Sequence, residues 1–128
     1  MTKGQIEDTI AKEITKFYAK ALGIGPQETR VYIVEDMVII RLKGKLFPIE
    51  ERLLEGKNGV ALVKDIRRNL HKVLTKHLSE IVTDITKNKV ISAHSDTSTK
   101  TGERMEVFIL NNNYQEELDK QTLVHRLK

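Results

Sequence analysis

The stretch from Gly56 to Ile85 constrains the fold more than any other part of the chain. It opens with a Gly-Lys-Asn-Gly turn and continues as the longest helical pattern in the sequence. Apolar residues recur there at three- and four-residue steps, which at about 100° per residue places them on one face of a helix. We expect that face to be buried core, formed by Leu62, Ile66, Leu70, Val73, Leu74, Leu78, Ile81 and Ile85.

A second side of the same helix is predicted to be cationic. Side chains three and four residues apart are neighbours on a helix surface, so its basic residues fall together. The formal net charge of +4 permits an anionic partner, although many proteins carry such a charge for solubility alone. The predicted cationic side contains Lys64, Arg67, Arg68, His71, Lys72 and Lys76.

Around this helix the chain repeats one pattern, a helix followed by a β-hairpin. The first copy runs from about Ile6 to Lys43, and the second runs from about Leu70 to Leu110. In each copy an amphipathic helix precedes two segments that have strand-like patterns and are joined by a turn or loop. The repeat predicts an α+β fold, a two-layer sandwich whose four-stranded, mainly antiparallel sheet carries its helices on one side.

Local signals give the element boundaries. Thr2 and Gln5 form a capping-box pattern at the start of the first helix, which Gly23 ends. Pro48 stands in the first turn of a short helix that reaches Leu54. The four strands are predicted at residues 30–34, 37–43, 89–94 and 104–110, with a polar loop at 95–103.

The length of 128 residues fits a single domain with an aliphatic core. We assign residues 1–112 to this domain and residues 113–128 to a C-terminal helix or a flexible tail. If this segment is helical, we expect it to dock on the outer sheet face or on a second subunit, because monomers seldom expose large apolar patches. A homodimer is therefore the expected oligomer.

The chain is expected to be cytoplasmic, with any membrane contact made peripherally at the inner face. Its first residues lead straight into an amphipathic pattern, without the continuous apolar core of a secretion signal. The longest apolar runs, such as Met37–Ile40, fall far short of the roughly 18 residues that span a bilayer.

No motif for catalysis, metal binding or cofactor binding is visible. The absence of cysteine excludes thiolate nucleophiles and thiolate metal sites. The four histidines lack metal-ligand spacing, and the acidic pairs Glu50-Glu51 and Glu116-Glu117 are predicted to be solvated helix starts. We therefore expect a non-enzyme with no metal and no cofactor.

The polar loop from Ser95 to Arg104 is the strongest candidate for anion binding. Its hydroxyl groups, Lys100 and the flexible Gly102 could surround an oxyanion or a phosphate. The alternative is an ordinary solvated hairpin loop, in which Asp96 hydrogen-bonds the local backbone.

Five motifs in order resemble the MpsC-like family of small bacterial proteins. They lie at residues 36–44, 47–51, 59–68, 95–104 and 107–108. The resemblance implies a soluble accessory or regulatory binding protein associated with a Na⁺-translocating, membrane-potential-generating system, and it carries over no catalytic residues. Its recurring polar positions and the basic helix face supply the candidate binding residues Asp36, Arg41, Lys64, Arg67, Arg68, Ser95, Asp96, Lys100 and Arg104.

The element order around the Gly56–Gly59 turn allows a second interpretation. Helix, strand, strand, short helix, Gly-x-x-Gly, helix and strand is the order of a type II KH domain, which binds single-stranded nucleic acid. In that case Lys57, Lys64 and Arg68 would contact phosphates, and binding would weaken steeply with salt. The alternative for the same glycines is a plain helix–helix turn.

Overall fold

Eight regular elements follow one another in the order that the sequence predicts. The computed structural model describes residues 1–127, so Lys128 of the predicted C-terminal segment lies outside the described residues. The predicted α+β class and the repeated helix–hairpin unit are confirmed. The elements are α1 (Lys3–Leu22), β1 (Glu28–Val34), β2 (Met37–Lys43), α2 (Pro48–Leu54), α3 (Gly59–Thr86), β3 (Val90–Thr97), β4 (Arg104–Leu110) and α4 (Tyr114–Leu127).

The four strands form one antiparallel sheet in the order β1-β2-β4-β3. Each hairpin pairs within itself, and the two hairpins join where β2 runs beside β4. Ile40 of β2 lies opposite Glu106 of β4, and Glu106 lies opposite Ser95 of β3. Because side chains alternate between faces along a strand, these three residues share the inner face.

The apolar core lies between the inner sheet face and the helices. α1 contacts β1, α3 contacts β3, and the two long helices contact each other. Period-2 alternation in the strands and helical spacing in α1 and α3 bring the buried apolar residues to this layer. The core contains Ile6, Ile10, Ile14, Tyr18, Val31, Ile33, Val38, Ile40, Leu42, Leu74, Leu78, Val82, Phe108, Leu110, Tyr114 and Leu118.

The C-terminal segment is a helix whose beginning belongs to this core. Tyr114 and Leu118 are buried in the same cluster, and Gln115 exchanges two hydrogen bonds with the backbone of Glu35 at the β1–β2 turn. The expectation that this helix docks on the outer sheet face was wrong for its first turns, because the hairpin end offers both backbone partners and apolar contact. Its distal residue Leu123 is exposed.

The buried face of α3 differs from the predicted one in its first half. Leu62, Ile66 and Val73 are 48%, 44% and 70% exposed, whereas Val63 and Arg67 are buried. The prediction was therefore wrong for three apolar positions, and Arg67 does not belong to an exposed cationic side. The physical reason is that Arg67 forms a buried ion pair with α2, which turns its side of α3 inward.

Gly59 allows α2 and α3 to approach each other backbone to backbone. A Cβ atom at this position would lie 1.9 Å from the carbonyl oxygen of Leu53, a separation that real atoms do not reach. Gly59 is buried, so the two helices would have to separate to accept any side chain. The helix–helix packing thus explains this glycine of the Gly-x-x-Gly pattern.

Replacing Gly59 by Ala should destabilise the protein by about 1–3 kcal/mol or more, because the added methyl overlaps the backbone of Leu53. Helix propensity alone predicts the opposite sign. Urea unfolding measures the difference. The matched control is Gly56→Ala, whose Cβ would lie at an ordinary 3.5 Å from the same oxygen and should change stability by less than about 1 kcal/mol. Equal effects of the two substitutions would contradict the packing role.

Candidate functional site

A cavity of about 230 Å³ lies where the end of α1, the β2–α2 connection and α3 meet the inner sheet face. Its wall is mostly apolar, and three cationic residues also line it: Arg67, Arg104 and the exposed Lys45. Both arginines are more than nine-tenths buried. The main apolar wall residues are Leu22, Ile24, Leu42, Leu46, Phe47 and Leu70.

Arg67 is fully engaged with protein groups. Its Nε and Nη2 atoms donate to the two carboxylate oxygens of Glu50 at 2.6 and 2.7 Å, and Nη1 donates to the carbonyl of Gly102 at 3.2 Å. Its guanidinium also lies 5.9 Å from the centre of the Phe47 ring, within cation–π range. This bidentate geometry binds α2, α3 and the β3–β4 loop together.

Glu50 is a buried partner of Arg67, and the prediction that it is a solvated helix start was wrong. It is 3% exposed and also accepts a hydrogen bond from the backbone N–H of Phe47 at 2.8 Å. Burial by itself raises the pKa of the Glu50 carboxyl. The hydrogen bonds from Arg67 and Phe47 outweigh that effect, so the pKa lies below its ordinary value.

Gly102 packs closely against the β2–α2 connection, which brings its carbonyl oxygen within hydrogen-bond distance of Arg67. Its φ of 79° lies in the left-handed region, and a Cβ would lie 2.6 Å from the carbonyl oxygen of Gly44. Only glycine satisfies both conditions without strain. At Gly102 the loop therefore closes one side of the cavity through close backbone contact with the β2–α2 connection.

Arg104 differs from Arg67, because no carboxylate of the described residues lies within ion-pair distance of it. It is 5% exposed, its Nη1 donates to the Tyr18 hydroxyl at 3.3 Å, and its guanidinium lies 5.7 Å from the Tyr18 ring centre. Its Nε is buried without a hydrogen-bond partner. An unsatisfied donor on a buried cation is costly, so the side chain of Arg104 is a chemically unusual part of the cavity wall.

Tyr18 connects Arg104 to a second buried acid, Glu106. The Tyr18 hydroxyl donates to Glu106 Oε1 at 3.2 Å, and the Ser95 hydroxyl donates to the same oxygen at 3.2 Å. Glu106 Oε2 lies 2.8 Å from His71 Nδ1, although the two atoms are not aligned as a hydrogen bond. Burial and the Glu106 charge raise the pKa of Tyr18 well above its ordinary value, against the opposing effect of Arg104.

A second, smaller cavity of about 50 Å³ collects several predicted site residues. Its size suits water rather than a larger ligand. Its ion pair is loose, with Lys64 Nζ lying 4.0 Å from Asp96 Oδ1. The predicted residues that line it are Lys64, Arg67, Arg68, Ser95 and Asp96, joined by His71 and Thr97.

The remaining predicted site residues lie apart from one another. Arg41 pairs with Glu103 through two hydrogen bonds of 2.9 and 3.2 Å. Asp36 lies at the β1–β2 turn, where its carbonyl accepts from the N–H of Leu110. Lys100 is exposed at the β3–β4 turn. The α3 and β3 candidates therefore meet at the smaller cavity, and Arg67 meets Arg104 at the larger one. Asp36, Arg41 and Lys100 line neither cavity.

The β3–β4 loop uses several of its polar groups internally. The Ser98 hydroxyl accepts from the N–H of Thr101 at 3.3 Å, and the Thr101 hydroxyl accepts from the N–H of Glu103 at 3.2 Å. Asp96 accepts from the N–H of Thr97. These contacts favour the ordinary hairpin-loop interpretation over the oxyanion one.

The basic residues proposed for nucleic-acid binding lie at the exposed start of α3. Lys57 and Arg68 are exposed, while Arg68 lies 3.6 Å from Asp65 and Lys64 faces Asp96. Nucleic-acid binding stays a prediction.

Sequence reasoning missed four polar residues of the buried network: Tyr18, Glu50, His71 and Glu106. A signal existed for one of them. Glu106 stands in phase with Phe108 and Leu110 on β4, and period-2 alternation places it on the inner face with them. The other three become visible only when distant elements are brought together.

Neither a metal-binding cluster nor a helix suited to crossing a membrane occurs in residues 1–127. Within that range no three His, Asp or Glu side chains converge into a metal-binding cluster. None of the helices in the same range combines the length and the apolar composition that crossing a bilayer requires.

The fold and its internal cavity define a two-layer α+β domain with a buried charge network. Residues 2–112 match the family described as Na+-translocating membrane potential-generating system (MpsC). A Bacillus subtilis (strain 168) relative, Uncharacterized protein YbcI, is 39% identical over 119 residues, covering 93% of this chain and 96% of that protein. No solved structure matches. The chain belongs to the MpsC family.

Replacing Arg67 by Met should cost about 3–5 kcal/mol of unfolding free energy, because it leaves the Glu50 carboxylate buried without its partner. The double variant Glu50→Met with Arg67→Met should lose clearly less than the sum of the single losses. Urea unfolding of the four proteins completes the cycle. Arg68→Met is the control, since its exposed side chain should contribute within about 0.5 kcal/mol. Additive single losses would contradict a coupled pair.

Acid should lower the unfolding free energy of the wild-type protein more than that of the double variant Glu50→Met with Arg67→Met. The pKa of Glu50 in the folded protein lies below its ordinary value of 4.5, so the pair stabilises fully above that pH and loses this effect as pH falls through the folded pKa. The unfolding free energy of the wild type should therefore fall more steeply than that of the double variant as pH is lowered from neutral. Glu55→Gln, at an exposed site, should keep the wild-type slope. Parallel curves for the wild type and the double variant would exclude Glu50 as the source.

Proposed function

We propose that this chain is a non-catalytic accessory or regulatory binding protein of the Na⁺-translocating, membrane-potential-generating system that its family description names. Family membership over residues 2–112 supports the proposal. In the proposed role the chain is cytoplasmic and contacts membrane proteins of that system peripherally at the inner face.

The observation that carries this proposal is an apolar stripe on α3, formed by Leu62, Ile66 and Val73. These side chains are spaced by four and seven residues, which places them on one side of the helix. All three are more than two-fifths exposed, although their periodicity is that of a buried face. Exposed apolar side chains that recur on one side of a helix are typical of protein–protein contact sites. The α3 stripe is therefore the surface we assign to a protein partner.

The proposal that the chain is not an enzyme is supported by the way its buried acids are used. Glu50 binds Arg67 and the N–H of Phe47, and Glu106 accepts from Tyr18 and Ser95. Both oxygens of Glu50 are held by internal donors, which suits this acid to a structural role rather than to proton transfer with a substrate.

A homodimer through the outer sheet face is part of the same proposal. Three apolar side chains on that face are partly exposed: Tyr32 at 37%, Val34 at 39% and Met105 at 39%. A two-fold axis would pack this face of one protomer against the same face of its partner. This contact would leave the α3 stripe open to a different partner.

The proposed role predicts that the tagged chain captures membrane proteins of a sodium-translocating system from gently solubilised membranes of its own host. Ile66→Glu should abolish this capture, because a charge in the centre of the α3 stripe opposes apolar contact. Mass spectrometry identifies the captured proteins, and circular dichroism shows that the variant remains folded.

Leu123→Glu is the matched control, since it introduces the same charge at an exposed apolar position of α4 and should keep the capture. Recovery of no such membrane protein, or equal recovery with Ile66→Glu, would overturn the proposed role. Sedimentation velocity on the same preparations reports the oligomeric state, and a purely monomeric boundary at micromolar concentration would overturn the homodimer.

A further inference from the structure

Two buried guanidinium groups line the larger cavity, and only that of Arg104 has nitrogen donors without a protein partner. Its polar contact runs from Nη1 to the neutral Tyr18 hydroxyl, its Nε is buried without a partner, and its Nη2 forms no hydrogen bond within the described residues. Arg67, on the same cavity wall, has all three nitrogens engaged by Glu50 and Gly102. Of the two arginines, Arg104 is therefore the one with donor capacity left for a ligand.

Arg104 lines the cavity together with an apolar wall. Leu22, Leu46, Phe47 and Leu70 contribute to that wall. A ligand that fits must therefore combine an apolar body with one anionic group. The volume of about 230 Å³ exceeds that of a cavity of about 150 Å³ that holds benzene, and it lies below the usual range of drug-sized pockets. The apolar body is accordingly short, comparable with an alkyl chain of about six carbons.

The charge balance of the cavity favours a single negative charge on the ligand, since Glu50 and Glu106 balance the two arginines and the exposed Lys45 at the cavity wall adds one positive charge. Glu50 neutralises Arg67 directly, whereas Glu106 is separated from Arg104 by the Tyr18 hydroxyl. A carboxylate beside Arg104 would complete a charge-assisted pair. A phosphate dianion would add a second negative charge near Glu106 in an apolar surrounding, which is unfavourable.

We propose that the larger cavity is a binding site for a small monocarboxylate with an apolar body, whose carboxylate pairs with Arg104. The site is distinct from the α3 stripe, and the inference does not rest on the proposed function.

Isothermal titration calorimetry with hexanoate, hexanol and hexyl phosphate tests the proposal on the wild-type chain. Hexanoate should bind at least about tenfold more tightly than hexanol, because only the carboxylate pairs with Arg104. Hexyl phosphate should bind more weakly than hexanoate. Absence of hexanoate binding, equal affinity for hexanol, or tighter binding of hexyl phosphate would each overturn the monocarboxylate assignment.

Two variants locate the site. Arg104→Gln should lower hexanoate affinity by about tenfold and leave hexanol affinity nearly unchanged. Leu70→Trp fills the cavity from α3 and keeps Arg104, so it should lower the affinity for both hexanoate and hexanol. This variant also tests the site if Arg104→Gln does not fold. Arg68→Gln, on the smaller cavity, is the matched control and should change neither affinity. Hexanoate binding that survives Leu70→Trp, or that Arg68→Gln removes, would overturn the location.

Discussion

The buried ion pair between Glu50 and Arg67 is the interaction on which the arrangement of this end of the molecule depends. It joins two helices that would otherwise touch mainly through Gly59, and it holds the β3–β4 loop through the carbonyl of Gly102. A buried charge pair tolerates little displacement, because each partner alone would be desolvated without compensation. The orientation of the first half of α3 follows from this constraint, and so does the exposure of the apolar stripe beside it.

The inner face of β4 divides the interior into an apolar part and a polar part. Phe108 and Leu110 lie in the apolar part, under the helices, whereas Arg104 and Glu106 lie in the polar part. Glu106 and Phe108 are successive inward-facing residues of β4, so the polar part changes to the apolar part within two residues of the strand. The hydroxyl of Tyr18 bridges the two charges by accepting from one and donating to the other. The cavity lies beside this polar part, where close apolar packing ends.

Membership of the MpsC family and the structure together define a domain with two separate features suited to binding. One is the α3 stripe, whose apolar side chains lie on the surface, and the other is the cavity beside Arg104. They lie on adjoining sides of the same helix, since Arg67 and Leu70 line the cavity while Ile66 and Val73, next to Leu70 on the helix surface, face solvent. The same helix therefore carries both the surface proposed for a protein partner and part of the wall of the proposed small-molecule site.

The order of the elements, most of their boundaries and the antiparallel pairing within each hairpin follow from local sequence patterns, because capping residues, turns and period-2 alternation act over a few neighbouring residues. Sequence reasoning also placed Arg67, Ser95 and Arg104 among the candidate residues of the site. The buried face of α3, the internal position of Glu50 and the contact between Tyr18 and Arg104 became visible only in the folded arrangement of the chain. These outcomes depend on pairing between residues far apart in the chain, and the desolvation cost of a buried charge outweighs local helical periodicity there.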